Sequence, residues 1–421
     1  MAKISDGGLG AGTMAVRSAK SGGALHAIPA GVWALGFVSM FMDISSEMIH
    51  ALLPVYLVTV LGTSTLTVGF IEGVAEATGR ITRIFSGAFS DRLGRRKALA
   101  ALGYGLSACA KVIFPLVSVV GWLVAARFID RLGKGIRAAP RDALVADISP
   151  PHLRGASFGL RQSLDTIGAF LGPLAAMVLM WLTSNHFTVV FWIAAVPAVI
   201  AVWLILAAVH EPIRQQDACP ARELGRSTKV GSLGSSCWLV IAVGAIFTLA
   251  RFSEAFLVLR AQSIGVPLML VPGVLVVMNI AYSLSAYPVG ALSDRMDRTM
   301  MLVAGLCVLI VADLVLARAT GVTALVAGAL LWGLHMGCTQ GLFAALVADA
   351  APPDCRGTAF GMLNLVSGLA QFCASAIAGV FWDAHGPGST FLVGAALAIL
   401  ALAALLSVRN LLRRPLVAGG E

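Results

Sequence analysis

The chain has 421 residues, of which 58% are hydrophobic and 12% charged, and its mean hydropathy is +0.89. A soluble globular domain carries about twice that share of charge, so the composition excludes a soluble enzyme and predicts an integral membrane protein. The formal net charge of +9, from 30 Lys and Arg against 21 Asp and Glu, invites a nucleic-acid reading, which the positions of those charges along the chain exclude.

Residues 1–29 are rich in Gly and Ser and hold no apolar core, which predicts a disordered cytoplasmic tail rather than a cleavable signal peptide. The apolar stretches that follow mostly run about 19 to 28 residues, enough to cross a hydrocarbon layer of about 30 Å as helices. Helices are expected because every backbone amide must be bonded internally in that layer. Six spans, at 30–57, 66–89, 98–116, 119–139, 155–182 and 187–209, form a first unit, 30–209. A polar, basic, Gly-containing linker occupies 210–236. Six more spans, at 237–260, 269–292, 299–317, 322–348, 357–382 and 389–408, form a second unit, 237–408, and 409–421 is a second cytoplasmic tail.

With the N-terminus placed inside, most of the Lys and Arg fall on loops of one side, among them Arg92, Arg95, Arg96, Lys97, Arg154, Arg214, Arg295 and Arg413. Near the opposite loops stand only Arg260 and Arg318. This positive-inside bias predicts a multi-pass protein of the inner (cytoplasmic) membrane with both termini in the cytoplasm. All seven cysteines fall in spans or on the inner side, so neither a disulfide nor a metal site is expected.

The run ALVADISPPHLRGASFG at 143–159 returns as ALVADAAPPDCRGTAFG at 345–361. A second pair, GAFSDRLGRRK from Gly87 and GALSDRMDRTM from Gly290, keeps nearly the same offset. Two matches in one register mark two copies of one helical unit, which in a membrane points to a transporter.

These residues resemble the major facilitator superfamily from about residue 30 to 408. Gly87, Asp91, Arg92, Gly94, Arg95 and Arg96 match its loop motif between helices two and three, and Gly290, Asp294 and Arg295 match the weaker second copy. The resemblance implies an all-α fold of twelve transmembrane helices in two pseudo-symmetric six-helix bundles. It also implies that the Asp91 loop clasps the bundles on the cytoplasmic side and releases for inward opening. Arg127, Gly133, Pro140 and Asp147 resemble the helix-four motif, although a register on Arg131 and Gly135 fits part of it. Gly168, Gly172 and Pro173 resemble the helix-five motif of proton-coupled drug antiporters, with Ala175 and Ala176 in place of its later glycines.

Ionisable residues inside the spans need partners or water, because a charge at mid-bilayer costs at least about 3 kcal/mol on insertion scales. Asp43, Glu47 and His50 share one face of helix one, and Glu72, Glu76, Arg80 and Arg83 one stripe of helix two. Arg127, Asp130, Arg131 and Lys134 share a face of helix four, and Arg161 and Asp165 lie one turn apart on helix five. Without His50 the acids and bases balance, so most of them are expected to be structural. Asp43 and Glu47 are the first candidates for proton coupling, since two carboxylates one turn apart repel when both are ionised. Glu76 is the runner-up, and Arg127 and Arg131 are the expected counter-charges. In the second unit Arg251 and Glu254 occupy the repeat position of the helix-one acids. With Arg127, Asn279, Tyr282, His335 and Gln340, they make the expected substrate-binding set. His335 reads first as a hydrogen-bonded interior residue, and Lys111 as a buried or snorkelling cation. Phe247, Phe252, Phe256, Trp332, Met336, Phe343 and Phe372 either line the substrate surface or pack.

The expected function is export of a small organic molecule in exchange for protons, by rocking of two bundles about a midplane site. The alternative is proton-coupled uptake of an anionic nutrient or metal chelate, bound by Arg127, Arg131, Lys134 and Arg251. A non-transporting receptor or scaffold ranks third, because the soluble segments are short. No Gly-x-x-x-x-Gly-Lys-Ser/Thr loop is present, so the expected energy source is a proton gradient, with no cofactor and no ATP. The expected partners are substrate, protons and the bilayer, with no nucleic acid, and the chain is expected to act as a monomer.

Overall fold

The computed structural model describes residues 28–93, 95–150, 153–211, 235–293, 297–350 and 356–412. Its helices in the first unit are α1 (Ala30–Thr59), α2 (Thr65–Leu93), α3 (Arg96–Leu116), α4 (Val120–Ile148), α5 (Arg154–Leu182) and α6 (Phe187–Ala208). The second unit holds α7 (Ser235–Leu249), α8 (Ala255–Ser263), α9 (Gly273–Ser293), α10 (Arg298–Arg318), α11 (Val322–Ala350), α12 (Arg356–His385) and α13 (Pro387–Leu412), with a 3-10 turn at Leu268–Leu270 before α9. No strand occurs among the described residues.

Nine of these helical stretches are long and apolar enough, by length and composition, to cross a membrane. The long helices outside that set, α2 and α4, carry the two densest ionisable stripes and lie against each other, so each shields the other's charges from lipid. Helix order alternates direction. One face of the bundle therefore carries Arg95, Arg96, Lys97 and Arg154 (the basic face), and the other carries the α1–α2 turn (the far face).

Two expectations are corrected. Span seven is not one helix: it breaks at 250–254 into α7 and α8. At the break Ser253 Oγ accepts the Ala255 amide at 3.3 Å and the Ser253 amide donates to Ser375 Oγ of α12 at 3.2 Å. Side chains there replace helical bonds, as short hydroxyl side chains do at helix starts. Span four does not stop before Pro140: α4 runs through it to Ile148. The proline removes one amide donor without ending the helix, and the apolar stretch underestimates α4 because its last turns face other helices rather than lipid.

Within the first unit α1 packs on α5 and α6, and α4 on α2 and α3; within the second, α11 packs on α9 and α10, and α12 on α7. The units meet chiefly along α2 and α12, then α5 and α9, then α1 and α8. Toward the far face the fit is tight. A Cβ on Gly379 would stand 2.7 Å from Leu66 Cα, and one on Gly69 would collide with the Ser375 carbonyl. Asp383 at the end of α12 accepts the amides of Thr65 and Leu66 at 3.0 and 2.9 Å, capping α2 from across the interface. One apolar core also crosses the units there, joining Met48 to Leu57 of α1 with Phe252 and Phe256. Toward the basic face the helices reach only ordinary contact, 3.5 Å between a Cβ on Gly361 and Ile84, and the interior opens.

Asp383→Ala removes a helix cap of about 1 kcal/mol that only the far-face-sealed arrangement makes, a shift of about fivefold in the sealed-to-open ratio. Spin labels at Val60 and His385 are expected to gain a longer-distance population in this variant. An unchanged distance distribution would show that the cap does not hold the far face.

Candidate functional site

The site begins with two glycines. Gly168 and Gly172 of α5 face the turns of α1 that carry Asp43 and Glu47. A Cβ on Gly168 would lie 2.7 Å from the Met40 carbonyl oxygen and 3.1 Å from Asp43 Cβ, and one on Gly172 would lie 2.5 Å from Glu47 Cβ. Small residues at this spacing let the backbones touch, so α5 fixes the height and rotation of both carboxylates. Pro173 is buried beside them.

Behind α1 lies a closed ionic cluster. Arg127 Nη2 donates to Glu72 Oε2 at 2.8 Å, Lys111 Nζ pairs with Asp130 Oδ1 at 2.8 Å, and Arg127 Nη1 stands 3.9 Å from Asp130 Oδ2. All four residues are buried, at 0 to 2% exposure, which removes them from any water-filled path. His50 joins its edge, 3.6 Å from Glu72 through Nε2 and 3.2 Å from Glu47 through Nδ1.

In front of α1 lie three chambers between the units, neighbours that share lining residues. The largest, about 710 Å³, is lined by Arg80, Arg83, Phe247, Thr248, Arg251, Phe360, Leu363, Asn364 and Ser367 among others, all toward the basic face. A chamber of about 170 Å³ collects Glu47, His50, Glu76, Arg80, Arg131, Lys134, Arg251, Glu254 and Gln371. The third, about 360 Å³, holds Asp43, Lys134, Arg137, Arg141, Asp165, Glu254, Asn279, Tyr282 and Met336. Arg131 is held by Glu76 at 3.1 Å. Asp43 has no cation within 4 Å, and neither Lys134, Arg80 nor Arg251 has a carboxylate within 4 Å, among the described residues.

Nearer the basic face a further network ties α1, α4 and α5. Asp165 takes Arg161 at 2.7 Å and Arg141 at 3.8 Å, and Asp142 takes Arg141 at 3.1 Å and Arg83 at 3.3 Å. Arg141 also donates to Ser39 at 3.0 Å, and Arg137 donates to Ser107 at 2.6 Å beneath the Tyr104 ring. Arg96 pairs with Asp147 within the first unit.

Several sequence expectations are thereby placed. Arg127 and Arg131 are not the partners of Asp43 and Glu47: Glu72 and Glu76 claim them, and Arg127 lines no chamber. Glu76 pairs with Arg131 on the facing helix rather than with Arg80 one turn away. Lys111 neither snorkels nor stands alone. Arg251, Glu254, Asn279 and Tyr282 do reach the chambers, and Asn279 also donates to the Ala169 carbonyl at 3.2 Å. His335 does not: it is buried, bonds the Gly305 carbonyl at 2.8 Å and stacks on Phe247. Phe256 and Trp332 pack in the core, whereas Phe247, Phe252 and Met336 line chambers. The side chains of Asp91, Arg92, Gln340 and Phe343, and residues Gly94, Asp294 and Arg295, lie outside the described residues; Gly87 sits on α2 and Arg95 just before α3. Arg137, Arg141 and Gln371 were missed. The two arginines continue the Arg127, Arg131, Lys134 stripe; ending the span before Pro140 hid Arg141, whereas Arg137 lay within the span and was passed over.

The family model described as Major Facilitator Superfamily matches residues 35–372 and 239–419. An uncharacterised MFS-type transporter of Methanocaldococcus jannaschii is 33% identical over 377 residues, covering 88% of this chain and 92% of that protein. Multidrug resistance protein MdtH of Photorhabdus laumondii is 30% identical over 174 residues, 41% of this chain and 42% of its own length. Among solved structures, a bacterial homologue of the human lysosomal transporter Spinster, in an inward-facing and unoccupied conformation, matches with a TM-score of 0.73. It is 14% identical and covers 95% of this chain and 100% of that one, a likeness that shows the fold alone.

The closed cluster carries a stability prediction. Lys111→Met strips Asp130 of its nearest counter-charge inside the bundle, a loss of about 3–5 kcal/mol, and Lys111→Met with Asp130→Leu recovers most of it. Thermal unfolding of the two purified variants in detergent measures both effects; equal losses in the single and double variants would remove the pairing argument.

Proposed function

The chain belongs to the Major Facilitator Superfamily, a family of multi-pass membrane transporters rather than enzymes, and from that premise we propose that it is a proton-coupled secondary carrier of a small organic molecule. The observation that carries the coupling is Asp43: a carboxylate in the chamber between the units, with no ion-pair partner within 4 Å among the described residues. Lys134, Arg137 and Arg141 of α4, Asp165 of α5, Glu254 at the α7–α8 break and Tyr282 of α9 share its chamber. Glu47 is hydrogen-bonded to His50, and Glu76 is fixed by Arg131, so each exchanges a proton less freely than Asp43. With the basic face in the cytoplasm of the inner membrane, the opening of the large chamber makes this the inward-open arrangement. The proton gradient drives the cycle without ATP or cofactor, and one chain suffices.

Two directions follow from different observations. Export in exchange for protons is supported by the helix-five residues Gly168, Gly172 and Pro173 and by the partial likeness to a multidrug resistance protein. Uptake of an anion together with a proton is supported by Lys134, Arg80 and Arg251, cations that line the chambers with no carboxylate within 4 Å among the described residues.

Proteoliposomes loaded with a pH dye and challenged with a compound panel under inward and outward proton gradients test both. The intact protein is expected to couple proton flux to at least one compound. Asp43→Asn is expected to lose gradient-driven accumulation at least about tenfold while keeping exchange without a gradient, with Glu47→Gln less affected. Gradient-driven accumulation by Asp43→Asn at the intact rate would overturn the assignment.

A further inference from the structure

Among the described residues, the large chamber is lined by three arginines and by no carboxylate. Arg83 has Asp142 at 3.3 Å, a carboxylate it shares with Arg141 and Arg161. Arg127, Arg131, Arg141 and Arg161 each have a carboxylate within 4 Å as well. Arg80 and Arg251 do not, and they line the same two chambers from opposite units: Arg80 from α2, Arg251 from the non-helical break between α7 and α8. Among the described residues Glu47, Glu76 and Glu254 share the smaller chamber with these two guanidinium groups, but none comes within 4 Å of either and none lines the large chamber, so on that side a ligand can supply the counter-charge.

We propose that the substrate is a small organic anion whose carboxylate, phosphate or sulfonate head is held between Arg80 and Arg251. This rests on the chambers being the transport site, and not on the direction of transport or on proton coupling. The planar forks of arginine suit an oxyanion with two or three oxygens. Beside them Gln371, 4% exposed, lines the small chamber with its Oε1 unpartnered, an acceptor for a hydroxyl or amine of the ligand. Thr248, Asn364 and Ser367 supply further polar contact, and Phe247, Phe360 and Leu363 form an apolar wall for the ligand's body. A cationic substrate is disfavoured at the same place by like charge. An anion gripped from both units also adds attraction across the widest part of their interface, so binding favours closure over the ligand.

The test uses the full chain in lipid nanodiscs at fixed pH, with no gradient, so that a failure of proton coupling leaves it unaffected. Thermal unfolding is followed while inorganic phosphate, acetate, benzoate, phenyl phosphate or phenyltrimethylammonium is added. At least one anion is expected to raise the unfolding temperature saturably, and phenyltrimethylammonium is expected to leave it unchanged. Arg80→Gln and Arg251→Gln are expected to weaken that anion's apparent affinity at least about tenfold each. Arg80→Lys and Arg251→Lys fall between, and keep the comparison valid if a glutamine variant loses its monodisperse size-exclusion profile. Inert anions, a saturable response to phenyltrimethylammonium, or anion affinity untouched in the arginine variants would each overturn the proposal.

Discussion

Charge inside a hydrocarbon layer must be compensated, and this chain carries six ionisable residues on α2 and eight on α4. At a cost of at least about 3 kcal/mol for each uncompensated charge, their placement constrains everything else in the first unit. Glu72, Arg127, Asp130 and Lys111 meet the constraint by closing on one another. That cluster sets which faces of α2, α3 and α4 can meet, and it leaves α1 standing between a compensated interior and an open chamber. Glu47 and His50 mark the boundary, bonded to each other with His50 reaching back to Glu72. Removing one member of the closed set is costly because nothing else in that interior can take its place.

The contact between the units is built on different physics. Gly69 and Gly379 bring α2 and α12 backbone to backbone toward the far face, and Asp383 adds a charged cap that depends wholly on this approach. Toward the basic face the same helix pair separates and the polar chambers begin. Tight packing at one end and an open, polar-lined gap at the other suit two rigid bodies that exchange which end is closed, because packed interfaces switch between discrete arrangements rather than stretch.

Most of this architecture was legible in the sequence, for stated reasons. Apolar length gives the spans, the duplicated 143–159 and 345–361 runs give two units, and the stripe spacing on α2 and α4 gives faces that must be buried. Pairing was not legible: Glu76 has Arg80 one turn away on its own helix, yet Arg131 on a facing helix holds it, and only the crossing of α2 and α4 decides that. The break at 250–254 was hidden because its residues sit in an otherwise apolar run, and the Ser375 hydroxyl that helps stabilise it comes from α12, more than a hundred residues away. The helix-five glycines were read through a likeness to antiporters, whereas the structure gives them a local reason, the seating of α1 at Asp43 and Glu47, that holds for either direction of transport.

Ligand charge and direction of transport are therefore one question. Asp43 and Lys134 line one chamber, and Lys134 and Arg251 line the next. A negative head between Arg80 and Arg251 adds negative charge to this space and makes a proton on Asp43 more favourable, while a protonated Asp43 leaves the chambers more positive and strengthens the hold on the anion. Linkage makes the two effects equal. With Asp43 as the proposed proton carrier and Arg80 and Arg251 as the proposed anion site, an anion and a proton bind in concert, the requirement for co-transport down the proton gradient, whereas exchange needs a ligand that is repelled by the proton or competes for its place. On the proposal that Arg80 and Arg251 hold the substrate, this linkage weighs for uptake.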